Sequence, residues 1–446
     1  MFNQLINTIL QGMTVKDYLT KLLMMFGVLL LVFYYIYPQA LGVFGRSFIV
    51  PCAGLGGLLY AHNKFPFFEV HKVLFFFFML LCWFYVVEYF NGVGESFIPT
   101  YLRSQMGFFF SAYFIIFVLF NVHRKPTFEV IVGYITAAII LQCIITFAIN
   151  QNEDAKEFFF SLQMEGGDFN AETREIIEEQ RLIGYGTGLF GAGMVAGYCL
   201  IFITYLISKL RLTKIQFAAF TLAYCFVFFI GLFSARTTVI GLAGSVVFLA
   251  VLYFIDGSTN KKQPVSFISV SVILFFFGAG LATVYFPDYT DWAYEMFDNY
   301  KKTGKFSTDS SNTLYHLFYL PATVNEILFG TNKGMTFWGN DMGFARLIWF
   351  CGAVGLVLYF AYQFYIAQLT MTKDLSANML VLSVFAYSLV MNIKGFTDMN
   401  PTLYLFLFYF LFYKYYRYYP DLYRQRLIEQ QRRNLESQQN REQIQA

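Results

Sequence analysis

Residues 217–255 read FAAFTLAYCFVFFIGLFSARTTVIGLAGSVVFLAVLYFI. Two apolar runs, Phe217–Phe233 and Thr237–Ile255, meet with only Ser234, Ala235 and Arg236 between them. At about 1.5 Å of rise per residue, about 20 apolar residues cross the hydrocarbon layer of a bilayer, and about 17 suffice. Backbone in lipid must satisfy its own hydrogen bonds, so both runs are expected to be spanning helices. Arg236 then stands at the tip of a membrane hairpin.

The same pattern repeats outward in both directions. Further apolar runs occupy Leu22–Tyr37, Phe48–Tyr60, Val73–Phe90, Phe108–Val122, Val130–Ile149, Leu189–Ile207, Val265–Phe286, Met342–Tyr362, Met379–Ile393 and Leu403–Tyr413. The expectation is an all-α, polytopic membrane protein of about 12 spans; Phe48–Tyr60 and Leu403–Tyr413 are short, so eleven is the alternative. Composition agrees. Charged residues make up 13% of the chain, whereas a soluble domain is about a quarter charged. Too few charges remain to clothe a soluble fold, and 57% apolar content excludes disorder. A net charge of +3 is too small to point to nucleic acid. The six cysteines all fall in apolar runs, where they act as small hydrophobes rather than as disulfide partners or metal ligands. The first run begins after Lys21, lacks a small-residue cleavage site and is long enough to span, so it reads as a retained helix.

Basic residues orient the spans. With the N-terminus cytoplasmic, the short inner loops hold twelve Lys or Arg residues, and the short outer loops hold four: Arg46, Arg103, Arg236 and Lys394. Both termini are therefore expected inside. The chain divides into helices 1–5 (1–149), an acidic outer loop (150–181) of net charge −6, helices 6–9 (182–286), a large outer loop (287–341), helices 10–12 (342–413) and a basic tail (414–446). Within the outer loops, Ala171–Gln180 and Asn312–Leu328 carry helical patterns, the second preceded by the N-cap candidates Ser310 and Ser311. Asp291–Lys302 carries Trp292, Tyr294 and Tyr300, which suit either anchoring at the membrane surface or stacking on sugar rings. No internal repeat is evident.

Ionisable groups at the edge of a bilayer are costly unless paired or hydrated. Arg236 either snorkels to the interface or clamps an anion, for which its fixed fork of donors is suited. Arg181 opens a stretch with six glycines between Gly184 and Gly197. Small residues let helices approach closely, and a broken helix start exposes backbone N–H groups to anions. Asp341 either caps the next helix or accepts a proton. Arg346, five positions on, needs a partner or water. His316 is the one histidine expected outside, as a surface imidazole or a proton acceptor. There is no nucleotide phosphate loop, no His-Glu-x-x-His and no Asp-x-Asp in an outer loop, so neither a cofactor nor a metal is expected.

Taken in order, these stretches resemble the bacterial oligosaccharide repeat-unit polymerases of O-antigen and capsule synthesis, and more distantly the O-antigen ligases. The resemblance rests on Arg181-Leu-Ile-Gly184, on Ser234-Ala-Arg236-Thr-Thr with Gly241, and on Leu328-Phe-Gly330 followed by Asp341-x-Gly343-Phe-x-Arg346 and Gly352-x-x-Gly355. It covers residues 180 to 360. The N-terminal half matches only in hydropathy. Ligases usually carry His where Asp341 stands, which favours the polymerase.

That resemblance implies a GT-C-like, lipid-dependent glycosyltransferase of the bacterial inner membrane with its large loops in the periplasm. Donor and acceptor would both be glycans on undecaprenyl diphosphate. The reaction would be an inverting transfer with lipid diphosphate as leaving group. Arg181, Arg236 and Arg346 would bind diphosphate, Asp341 and His316 would be the proton acceptors, and Trp292, Tyr294 and Tyr300 would contact sugar. A flippase and a chain-length regulator would be its partners in the membrane. The alternatives are a ligase or another lipid-linked glycosyltransferase, and then a flippase or carrier. Carriers usually show pseudo-repeated halves and mid-membrane charges, which this sequence lacks.

Overall fold

The computed structural model describes residues 15–418, apart from 41–42, 64–67, 93–96, 163–180, 187–188, 256–261, 286, 306, 309–318, 334 and 336–341. Every regular element among the described residues is a helix. In chain order these are α1 (Val15–Ile36), α2 (Val43–Asn63), α3 (Phe68–Asn91), α4 (Phe97–His123), α5 (Phe128–Ile149), α6 (Glu153–Ser161), α7 (Leu189–Lys209) and α8 (Lys214–Ser234). They continue with α9 (Thr238–Ile255), α10 (Lys262–Tyr285), α11 (Pro287–Thr303), α12 (Val324–Phe329), α13 (Gly343–Leu369), α14 (Leu375–Met391) and α15 (Asn400–Tyr418). Among the described residues nine helices are long and apolar enough to cross a membrane, namely α1, α3, α4, α5, α7, α8, α9, α10 and α13. Two shorter apolar helices, Phe48–His62 within α2 and Leu375–Met391, accompany them. The protein is a multi-pass, all-helical membrane protein.

Helix position follows side-chain chemistry. In α15, Leu403 to Phe408 are each no more than 1% exposed, so this helix is enclosed on every side. α7 is also central. At the edge, α10 turns Ile273, Phe276 and Phe277 outward with more than 60% of each exposed. Such a stripe would drive aggregation in water, but lipid solvates it.

Polar contacts sort the helix ends into two faces. Lys414 of α15 pairs with Glu69 at the start of α3 (2.8 Å). Tyr409 donates to Pro126 O (3.0 Å). Tyr205 reaches Glu129 at the start of α5 (3.2 Å), and Lys209 at the end of α7 pairs with the N-cap Asp374 of α14 (2.9 Å). These ends share one face. The α8–α9 corner, the start of α7 and the start of α13 gather on the other.

The expected span Met342–Tyr362 runs longer, as α13, and it breaks at Gly352, where φ is 70° and ψ 177°. A break within the membrane strands carbonyls, and each must find a donor. Trp349 O accepts from the N–H and the hydroxyl of Thr331 (2.7 and 2.8 Å), Phe350 O from Asn332 N–H (3.0 Å) and Cys351 O from Trp83 Nε1 (2.9 Å). The break is tight because Gly330, itself at φ +84°, lies against it; a Cβ on Gly330 would stand 2.6 Å from Gly352 N. Leu328-Phe-Gly330 and Gly352-x-x-Gly355 are thus two sides of one contact.

The expected helix over Asn312–Leu328 is a correction. Residues 312–318 lie outside the described residues, 319–323 are not helical, and a helix covers only Val324–Phe329. Pro321 has no N–H to donate. Thr323 then starts the helix with a capping box to Glu326. The segment Ala171–Gln180 also lies outside the described residues.

Candidate functional site

The α8–α9 corner is built by its backbone. Ala235 N–H bonds back to Gly231 O (2.7 Å) and closes α8, Ala235 itself is extended, and Thr238 Oγ1 donates to Ala235 O (2.9 Å) as α9 begins. The start of α7 packs into this corner through its glycines. A Cβ on Gly193 would stand 2.6 Å from Ala235 Cβ, and Gly197 touches Gly241 backbone to backbone. The glycine-rich stretch therefore provides close helix packing, as its small residues suggest.

The segment before α7 is pinned at successive residues. Leu182 N–H donates to Phe233 O (3.1 Å), Asn150 Nδ2 donates to Ile183 O (3.1 Å), and Gln142 Nε2 donates to Tyr185 O. Gly186, at φ +73°, lets the chain pass Ala40, whose Cα a side chain would meet at 2.6 Å. These contacts hold Arg181 beside Arg236. Both guanidiniums pack on the ring of Trp292 in α11, with their central carbons 4.4 and 4.3 Å from the ring centroid. Glu295, one helical turn after Trp292, forms an ion pair with Arg236.

Two cations held this close repel. Burial, and then the neighbouring Arg236, lower the Arg181 guanidinium from its ordinary value, while Glu295 opposes the shift. A guanidinium titrates so far above neutral that it stays charged. The aromatic face of Trp292 and the Glu295 carboxylate offset the repulsion. Arg236 and Glu295 keep 17% and 23% of their side-chain surface exposed, so solutes can reach the pair. Arg181 Nε is buried and has no hydrogen-bond partner among the described residues. The arrangement is a half-buried cluster of two guanidinium forks, suited to a multivalent anion.

Tyr294 and Tyr300 lie on the same helix as Trp292, α11. Tyr294 is half-buried, its hydroxyl has no partner among the described residues, and burial raises its ordinary value. Tyr300 is 46% exposed. Arg346 lies half-buried in the first turn of α13, its N–H on Met342 O (2.9 Å). Asp341 and His316 lie outside the described residues. Among the described residues no three His, Cys, Asp or Glu side chains come together to hold a metal ion.

Two groups escaped sequence reasoning. Glu295 was hidden in an amphipathic run of acids and aromatics. Asp398 sits half-buried between α14 and α15, accepting from Gln105 Nε2 (2.5 Å) and Asn400 N–H (3.0 Å) and hydrogen-bonded to Tyr359. Burial raises its carboxyl to about 6. The signal available was an acid beside Asn-Pro in a short interhelical loop, which reads equally well as a helix start.

No protein-family model matches the chain, and none of the curated proteins matches its sequence.

Proposed function

We propose that this protein is a lipid-linked glycosyltransferase that polymerises oligosaccharide repeat units on undecaprenyl diphosphate at the periplasmic face of a bacterial inner membrane. The observation that carries the reading is the convergence of Arg181 and Arg236 on Trp292. Two guanidiniums against the single carboxylate of Glu295 leave net positive charge at a membrane edge, and a diphosphate anchored in the bilayer arrives at that depth. On the topology expected from the basic residues, twelve spans with both termini cytoplasmic, this cluster lies outside. The ordered motifs around Arg181, Arg236 and Gly352 support the same reading, which carries with it a GT-C-like architecture.

In this scheme the acceptor sugar hydroxyl attacks the anomeric carbon of the donor from the face opposite the diphosphate. The new C–O bond forms, the bond to phosphate breaks, and its electron pair remains on the phosphate oxygen. The leaving group is good, so the barrier lies in charge separation and positioning. Donors aimed at the developing charge are each worth about 3 kcal/mol. Arg181 and Arg236 supply them, with Arg346 as a further phosphate contact. Tyr294 and Tyr300 contact sugar; Trp292, expected to do the same, has its ring packed on both guanidiniums and orients them instead. Asp341 or His316 takes the hydroxyl proton.

A deletion strain tests the reading. It should still display repeat units outside, but only singly. Long chains accumulating on undecaprenyl diphosphate would identify a ligase, and units trapped on the cytoplasmic leaflet would identify a flippase.

A further inference from the structure

Glu295 occupies the very group that the diphosphate needs. Resting on the diphosphate reading above, we infer that Glu295 exchanges with the diphosphate on Arg236 and thereby sets how readily the spent lipid diphosphate leaves.

Geometry excludes the obvious catalytic role for Glu295. In an inverting transfer the base and the group that stabilises the leaving oxygen stand on opposite faces of the sugar, as the two carboxyls of inverting glycosidases do. Glu295 is instead in direct contact with the Arg236 guanidinium. A carboxylate there lies on the leaving-group side and cannot activate a nucleophile on the opposite face. It competes with phosphate for the same donors.

Charge arithmetic gives the competition a purpose. A sugar–diphosphate–lipid diester carries a charge of about −2. When the sugar–oxygen bond breaks, its electron pair stays on the terminal phosphate, whose second pKa is near 6, so the released lipid diphosphate carries about −3 at pH 7. The acceptor hydroxyl joins the sugar carbon, and its proton passes to Asp341 or His316 and from there to water at the outer face. The product is therefore held more tightly than the substrate by the same two cations. An enzyme that strengthens its grip as the reaction proceeds must also let go. Glu295 is tethered at the cluster, so its return to Arg236 is intramolecular and does not depend on a dissolved ion.

The helix that carries it suits this exchange. Trp292 and Glu295 are three positions apart on α11 and so share a face. Trp292 packs on both arginines while Glu295 pairs with one of them. Losing the ion pair leaves the ring contacts in place. The pair is neither sealed nor free in water, with 17% and 23% of the side chains exposed, so the cost of parting it is modest.

The test uses the full chain in detergent with inorganic pyrophosphate as probe, comparing wild type with Glu295→Gln by calorimetry. We expect the variant to bind pyrophosphate at least tenfold more tightly. With lipid-linked repeat units its kcat and KM should both fall, as slow product release requires. Because Glu295→Gln leaves a charge uncompensated and can misfold, the wild type supplies an independent readout. Saturating pyrophosphate should speed amide hydrogen exchange across residues 287–303 as Glu295 is displaced. Equal or weaker binding by the variant, or unchanged or slower exchange in the wild type, overturns the inference and leaves the anion site standing. If pyrophosphate binds neither protein, the anion site itself is wrong and the exchange falls with it.

Discussion

Gly197 and Gly241 meet backbone to backbone, so that a methyl group on Gly241 would overlap the Cα of Gly197. That crossing holds α7 against α9 beneath the corner that carries Arg236. It predicts that Gly241→Val forces the helices apart, at a cost of about 1–3 kcal/mol or more for overpacking. The melting temperature in detergent should fall, and turnover should fall further as Arg236 moves away from Arg181. Gly54 in α2 is the control. Nothing lies within 4 Å of a Cβ there, so Gly54→Ala should leave both quantities unchanged or raise the melting temperature slightly. Equal damage by the two variants would contradict the packing account.

The arginines should not tolerate lysine. Arg181→Lys and Arg236→Lys keep the charge but lose the planar fork and its stacking on Trp292. Each should cut chain elongation about a hundredfold, the loss of one transition-state donor, with expression and melting temperature little changed. Near-normal elongation by both variants would mean that these residues only anchor the protein at the interface.

Asp398 predicts a pH dependence of stability. Burial raises its carboxyl from 3.8 to about 6, against the downward pull of Asn400, Gln105 and Tyr359. The folded state thus binds this proton more tightly than the unfolded chain does. The contribution is complete below about pH 4, the ordinary carboxyl range, and is lost as pH rises through the folded value. Thermal melting in detergent should therefore show the protein gaining stability from this group between pH 7 and pH 5. Asp398→Asn should flatten that part of the curve. An identical pH profile in the variant would show that the carboxyl does not titrate there.

Much of the fold was legible because lipid imposes a simple rule. A run such as Thr237–Ile255 can only be a helix, and a lone Arg236 between two such runs must lie at a membrane edge. The glycines from Gly184 to Gly197 suggested either close packing or an exposed helix start, and Gly193 and Gly197 do pack closely, because few residues let backbones touch. What escaped was tertiary. Gly352 looks like any membrane glycine until Gly330 and the donors Thr331, Asn332 and Trp83 are seen to satisfy the broken turn. The helix expected over Asn312–Leu328 followed apolar spacing and passed over Pro321 and the Thr323 cap. Glu295 became a site residue only when α11 folded onto the α8–α9 corner, a contact that no local pattern encodes. Asp398 resembled an ordinary residue at a helix start, because that is also what it is.

The most direct measurement is elongation by the purified protein in proteoliposomes, supplied only with single repeat units on undecaprenyl diphosphate, with product lengths read by mass spectrometry. We expect a ladder of longer chains still attached to lipid, one lipid diphosphate released per unit added, and the same ladder in excess EDTA because guanidinium groups supply the positive charge. Units that stay single, whether moved to another carrier or carried across the bilayer, would contradict it.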